Sequence, residues 1–297
     1  MLDSLIITLI AEGRLSQADV ATASDVLAAA GAAPGAPHWI DAGDACDLPA
    51  SGIGQAAARA ALESALPAVD IIVQPASSPR RKSLLIADMD STMIGCECID
   101  ELADYAGIKA QVAAVTEAAM RGELDFAEAL RARVALLKGL EAAVIDQCLA
   151  ERVRANPGAC TLVQTMDRMG ARTILISGGF TRFAGPVAAM LGFGEMHANI
   201  LAERDGRLDG TVMDPIVDAA TKRTTLLAAD VPLAACLAVG DGANDIPMIT
   251  AAADAGGLGI AYHAKPKAAA AAMAAIRHGD LTTLLRAQGL RRADWAA

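Results

Sequence analysis

The chain has 297 residues, 54% of them hydrophobic and only 3% aromatic, so it can bury a sizeable core packed with Ala, Leu and Ile, which excludes a disordered chain. A net charge of -10 excludes the clustered Lys and Arg of a nucleic-acid footprint. No run approaches the ~18 apolar residues of a membrane span.

Residues 1–75 predict a small α+β unit. Leu5 to Ile10 reads as a strand, Ser16 to Ala30 as a helix, His38 to Asp41 as a second strand, Gly54 to Leu66 as a helix and Val69 to Val73 as a closing strand. Ser16 with Asp19 three residues on forms a capping-box pattern at the first helix. The first ten residues lack both the basic start and the long apolar run of an export signal, so the expectation is a cytoplasmic protein. Two prolines, small polar residues and three positive charges between Gln74 and Lys82 predict a linker at 76–82.

The chain is organised around Ser83 to Ile94, S-L-L-I-A-D-M-D-S-T-M-I. Leu84 to Ala87 is the continuous apolar run of a strand buried on both faces of a parallel sheet. Asp88 and Asp90 then stand at its carboxyl end, the edge of an open α/β sheet where ligands bind. From Gly95 to Asn156 the pattern is helical throughout: Ile99 to Tyr105, Ala110 to Met120, Phe126 to Lys138 and Glu141 to Arg154, punctuated by Gly107, Gly122 and Gly139. Rooted beside the two acids, this insertion predicts a lid. In its third helix Asp125 and Glu128 resemble a capping box, and Phe126, Leu130, Arg133 and Leu137 share one face. An arginine in an apolar stripe either finds a carboxylate or carries its head to water.

Beyond the lid, Ala159 to Met169 predicts a helix, and Arg172 to Ile176 a strand that stops at Ser177-Gly178-Gly179, whose amides suit an anion. His197 to Met213 reads as a hairpin turning at Asp205-Gly206, and Lys222 as the start of a helix to Ala229. Leu237 to Asp245, L-A-V-G-D-G-A-N-D, is a second strand ending in acids, and Asp241 and Asp245 are hard oxygen donors of the kind Mg²⁺ takes. Leu258 to Ala261 predicts a third strand, Pro266 to Arg277 an Ala-rich helix and Asp280 to Gln288 a final helix. The six cysteines form no paired framework, and neither Cys96-Glu97-Cys98 nor the four histidines have metal-ligand spacing.

The string D-M-D-S-T with its continuation M-I-G-C-E-C-I-D-E-L-A, the lid helix L-D-F-A-E-A-L-R-A-R-V-A-L-L-K-G-L, S-G-G, Lys222 and G-D-G-A-N-D resemble, in that order over residues 82–285, the haloacid dehalogenase superfamily and its phosphoserine phosphatase branch. The departures are Met89, where Phe is more frequent, and the cysteines around Glu97. The resemblance implies an α/β Rossmann-like core with a parallel sheet over 83–297, a helical cap at about 95–156, and a small ACT-like α+β domain at 1–75. It implies Mg²⁺-dependent hydrolysis of O-phospho-L-serine, the last step of serine biosynthesis. Asp88 is then the nucleophile and Asp90 the general acid and base. Asp88, the Asp90 carbonyl and Asp241 hold Mg²⁺, and Ser177, Gly178, Lys222 and Asn244 surround the phosphate. Glu97 receives the substrate ammonium, Arg133 its carboxylate, and Phe126 lies over the site. Residues 1–75 are left with amino-acid sensing, docking or homodimerisation. Two alternatives stay open: turnover or transfer of phosphate on another small metabolite, and an amino-acid-sensing regulator.

Overall fold

A computed structural model describes residues 4–296 as two sheets and the helices packed on them. The amino-terminal sheet comprises β1 (Leu5–Ile10), β2 (Ala33–Pro34), β3 (His38–Asp41), β4 (Ala45–Ser51) and β5 (Asp70–Pro75), with α1 (Gln17–Ala29) and α2 (Gln55–Ala65). It is antiparallel in the order β2-β4-β1-β5, with β3 also on β4. Ser16 caps α1 with the expected reciprocal bonds to Asp19. Nothing in the sequence marks β4, because Asp47 and Pro49 read as turn residues. Tertiary pairing overrides them, and Asp47 accepts from Thr8 Oγ1 (2.7 Å) and Arg80 (2.5 Å).

The second sheet begins with β6 (Leu84–Ala87). After it come the cap helices α3 (Cys98–Tyr105), α4 (Lys109–Met120), α5 (Phe126–Leu136) and α6 (Ala143–Arg152), each within two residues of its predicted start. The chain leaves and re-enters the core through a narrow neck, where Gly95 N donates to Arg154 O and Asn156 N to Met93 O. The core continues through α7 (Ala159–Arg168), β7 (Arg172–Phe180), α8 (Thr181–Leu191), β8 (Glu195–Arg204), β9 (Arg207–Met213), α9 (Ala219–Leu227), β10 (Cys236–Gly240), α10 (Ile246–Asp254), β11 (Leu258–Tyr262), α11 (Pro266–Ala271), β12 (Ala274–Ile276) and α12 (Thr283–Arg286). The strand order is β12-β11-β10-β6-β7-β8-β9, parallel except for β9.

The apolar run of β6 is explained by this layering. Leu84 and Ile86 pack with Leu226, Met248 and Ala252, whereas Leu85 and Ala87 join the cluster of Leu162, Phe183 and Val187. Both faces are covered, so alternation vanishes.

Three departures from the sequence reading have a clear physical reason. The Ala-rich stretch ends as a helix at Ala271 and becomes edge strand β12, since Ala and Ile fit a buried parallel strand as well as a helix. Helix α9 starts at Ala219 under an Asp218 cap, which puts Lys222 in its first turn. The last predicted helix shrinks to the single turn of α12.

Residues 76–82 do connect the two sheets, but they are anchored. Lys82 is buried, with Nζ donating to Pro79 O and Ala234 O, and Arg80 reaches back to Thr8 and Asp47. Nearby, the buried Asp70 carboxylate accepts from the amides of Arg277 (2.8 Å) and Gly279 (2.7 Å), and Arg286 pairs with Asp41 and Asp44. Among the described residues no helix is long and apolar enough to cross a membrane.

Candidate active site

Adjacent strands β6 and β10 carry the two acidic loops side by side, with Ala87 in register with Val239. Asp88 N donates to Val239 O (3.0 Å), which fixes the first acid against the second loop. The chain then turns sharply through Met89–Met93, with Ser91 at φ 56°. That turn aims both Asp88 and Asp90 at the cavity below the cap, which has a volume of about 510 Å³.

Behind Asp88 lies a fully buried lysine. Lys222 Nζ is 2.6 Å from Asp88 Oδ1 and 2.7 Å from Asp245 Oδ1. Burial alone would lower Lys222, but the attraction of Asp88 and Asp245 outweighs it and holds the ammonium above the usual lysine range. Burial and the charge of Asp245 push the Asp88 carboxyl well up, and Lys222 acts against both. Asp245 is itself tied down by Gly242 N, which donates to its Oδ2 at 2.9 Å.

Asp88, Asp241 and Asp245 each offer a carboxylate oxygen within 4.8 Å of the others. Three buried acids facing one lysine leave negative charge that a hard divalent cation satisfies, so the donor set fits a metal ion. The cluster contains Asp88 and Asp241 as expected. Asp245 joins them through its carboxylate, whereas Asp90 turns its side chain elsewhere.

Asp90 Oδ1 accepts from Cys98 N (3.0 Å), at the start of the first cap helix, and Oδ2 faces Ser177 Oγ at 3.4 Å. Burial first, then the nearby charge of Glu97, raise Asp90 to about 6. Burial likewise raises Asp241 to about 6, against the pull of Lys265. Two neighbouring carboxyls with different partners, Asp88 and Asp90, thus have different tasks open to them, one backed by an ammonium and one poised to exchange a proton.

The third strand end, β7, is irregular. Its pairing with β8 shifts between Ile176 and Phe180, so Ser177-Gly178-Gly179 bulges within the strand. Asn199 braces the bulge, donating from Nδ2 to Gly178 O (2.8 Å) and accepting from Val217 N (2.7 Å). Neither glycine has room for a side chain. A Cβ on Gly179 would lie 2.9 Å from Asp90 Oδ2, and one on Gly178 3.0 Å from the Phe126 ring. Gly178 and Gly179 line the cavity; Ser177 is fully buried and instead accepts from Gly179 N at 2.8 Å.

The cap supplies the remaining wall. Glu97, Phe126, Leu130 and Arg133 all line the cavity, as does Asn244 from the β10 loop. Asp125 and Glu128 form the reciprocal cap of α5, which places Phe126 at the helix start and Arg133 two turns on. Glu97 accepts from Ser91 Oγ at 2.8 Å. Arg133 is half-buried and, among the described residues, forms no ion pair; burial lowers it and the charges of Asp100 and Glu97 pull it back. Of the residues singled out in the sequence, Ser177, Lys222 and Asp245 stand behind the cavity wall and the others face it. Lys265 was not foreseen; it lines the mouth with Nζ 3.7 Å from Asp241. Nothing local marks it, since only the chain's exit from β11 brings it there.

The profile of the haloacid dehalogenase-like hydrolases matches residues 85–250. A phosphoserine phosphatase of Streptomyces coelicolor is 45% identical over 257 residues, covering 84% of this chain and 62% of that protein. The chain thus spans less than two thirds of that relative's length. A phosphoserine phosphatase of Polaromonas sp. is 47% identical over 211 residues, 68% of this chain and 88% of its own. Among solved structures, an unliganded probable phosphoserine phosphatase from Vibrio cholerae superposes with a TM-score of 0.77 at 32% identity, covering 98% of this chain and 88% of that one. Strand order, acidic loops and sequence agree: the chain belongs to the haloacid dehalogenase-like hydrolase family, in the branch that holds its phosphoserine phosphatase relatives.

Proposed function

We propose that this protein hydrolyses O-phospho-L-serine to L-serine and phosphate through an aspartyl-phosphate on Asp88, with Mg²⁺ as its cation. The observation that carries the reading is a single cavity with chemistry at one end and recognition at the other. Asp88, Asp90 and Asp241 occupy its floor, and Glu97 and Arg133 hang from its roof. An amino acid phosphorylated on its side chain has the matching polarity, with a dianion at one end and a zwitterion at the other. The family relationship and the names of the relatives support the same substrate.

In the first step Asp88 Oδ attacks phosphorus in line, the bond to the serine oxygen breaks, and Asp90 passes its proton to that oxygen. In the second, Asp90 takes a proton from water, whose oxygen attacks the phosphorus and frees the Asp88 carboxylate. Lys222 balances charge on Asp88 throughout, and Gly178, with Asn244, faces the phosphoryl oxygens from the cavity wall. Asp88, Asp241 and the Asp90 carbonyl would hold Mg²⁺, with Asp245 next to them. When bound it neutralises charge on the transferring phosphoryl group. Glu97 receives the ammonium, Arg133 takes the carboxylate with its planar fork, and Phe126 closes over the substrate. Residues 1–75 form a separate module by this reading, joined through 76–82 to the phosphatase body at 83–297, and serve for docking, including pairing with a second copy.

The test is phosphate release from L-phosphoserine beside phosphothreonine, a sugar phosphate and an aryl phosphate, with Mg²⁺ and then with excess chelator. Mg²⁺-dependent preference for phosphoserine is expected. Equal turnover of all four would remove Glu97 and Arg133 from substrate recognition.

A further inference from the structure

Among the described residues, Lys265 is the cation lining the cavity to which the steps above give no task. It is the residue before α11, and its backbone is fixed: Lys265 N donates to Asp241 O at 3.0 Å. Two residues earlier His263 N donates to Ile276 O (2.9 Å), and the His263 ring bonds Gly279 O at 2.9 Å, which holds the approach to Lys265. The side chain is the opposite. It is 71% exposed, and its ammonium stands 3.7 Å from Asp241 Oδ2.

The other two cations near the site stand elsewhere. Lys222 is buried between Asp88 and Asp245, and Arg133 hangs in the cap near Glu97 and Asp100. Asp88, Asp90, Glu97 and Asp241 all line the space through which a phosphate dianion enters, in a protein of net charge -10. A dianion meets a repulsive field there unless a positive group at the mouth offsets it. Lys265 is at that mouth. Its contact with Asp241 is long and open to solvent, and such pairs hold with little energy, so the ammonium is easily exchanged.

We infer that Lys265 is a movable counter-ion, which neutralises Asp241 while the cation site is free and, once a divalent cation takes Asp241, turns outward to capture the phosphate of the incoming ester. The inference rests on the phosphatase reading but not on serine as the alcohol, because the group captured is common to all phosphomonoesters. It assigns Lys265 a binding role opposite in selectivity to that of Arg133.

The experiment compares the full-length protein with Lys265→Gln, an exposed change that leaves the backbone bond to Asp241 in place. Titration calorimetry with Mg²⁺ alone, on substrate-free protein, should show binding about threefold to tenfold tighter in the variant, because its competitor for Asp241 is gone. At saturating Mg²⁺, KM should rise by a similar factor, roughly threefold to tenfold, for both phosphoserine and an aryl phosphate, with kcat held and the salt dependence of kcat/KM flattened. Lys265→Arg should restore KM. Unchanged or weaker Mg²⁺ binding overturns the inference, and so does an unmoved KM. If neither protein hydrolyses phosphoserine while both hydrolyse the aryl ester, the substrate assignment fails and Lys265 is judged on the aryl ester and the calorimetry.

Discussion

Replacing Lys222 by Met removes the ammonium but keeps a side chain of similar length in a site with no exposure. Two ion pairs disappear with it, that of 2.6 Å to Asp88 and that of 2.7 Å to Asp245. At an effective dielectric of about 20 each is worth about 6 kcal/mol of gross attraction. Desolvation of the three groups offsets most of that, and removing one member of a buried pair has a net cost of about 3–5 kcal/mol because the orphaned charge stays buried. The deficit has a pH signature. Without Lys222 the folded-state pKa of Asp88 rises above the wild type's already raised value, so the loss is full above the variant's pKa and fades as pH falls through it to the wild type's own. Denaturant melts of the two proteins at several pH values between about 4.5 and 8 measure this. The gap should shrink toward acid, and added Mg²⁺ should narrow it at neutral pH by supplying the missing positive charge. A deficit that stays constant across the range would mean that Lys222 acts by packing, and the electrostatic argument would fail.

Asp90→Asn should abolish steady turnover and trap phosphate on Asp88 when the leaving group is a good one, as seen by intact mass after mixing with an aryl phosphate. The same variant should be more stable than wild type at pH 7 by about 3 kcal/mol, since Asp90 is raised from 3.8 to about 6 and its charge opposes folding above that value; the gain should vanish near pH 4. Arg133→Ala should lower kcat/KM for phosphoserine about 10- to 100-fold, the worth of a charged bidentate contact, and spare an aryl phosphate. Equal losses on both would contradict a carboxylate-binding role. Gly179→Ala places a methyl 2.9 Å from Asp90 Oδ2 and 3.0 Å from Ser177 Oγ, so kcat should fall about tenfold or more with little change in melting temperature. A fully active alanine variant would show that Asp90 has freedom to move that the reading denies it.

Where the sequence was informative, the physics was local. A strand buried on both faces cannot alternate, and a run that ends in two acids has few structural uses, so β6 and β10 could be read from Leu84–Asp90 and Leu237–Asp245 alone. The cap helices carried their own stops and a capping box. What stayed hidden depends on the rest of the fold. Strand β4 contains Asp47 and Pro49, and the half-buried Asp47 carboxylate becomes tolerable in a sheet through Thr8 and Arg80 from other elements. The switch from α11 to β12 occurs within a run of alanines that on its own favours helix, and only pairing with the edge of β11 overrides that preference. Ser177 read as a phosphate contact from the S-G-G strand end and the family resemblance. In the bulge of β7 its buried hydroxyl accepts from Gly179 N and faces Asp90 Oδ2. Lys265 is separated from Asp241 by the whole of α10 and β11, and no pattern in sequence announces such a meeting.

The cap has a second attachment besides its neck. Just after α5, Gly139 N donates to Leu208 O, Leu208 N to Leu140 O and Ala142 N to Gly206 O, while Arg207 pairs with Glu141. These bonds stitch the cap to the β8–β9 hairpin at the sheet's far edge, and Gly210 approaches Lys138 so closely that a Cβ there would lie 2.8 Å from the lysine's. A body stitched along one side swings like a door and does not lift like a lid. Opening is then greatest at the free side, around Thr116, Ala119 and Leu124, and least at the hairpin. On the proposed function, the α4 edge is then the side by which substrate enters and product leaves, with the antiparallel strand β9 as hinge post of the active site.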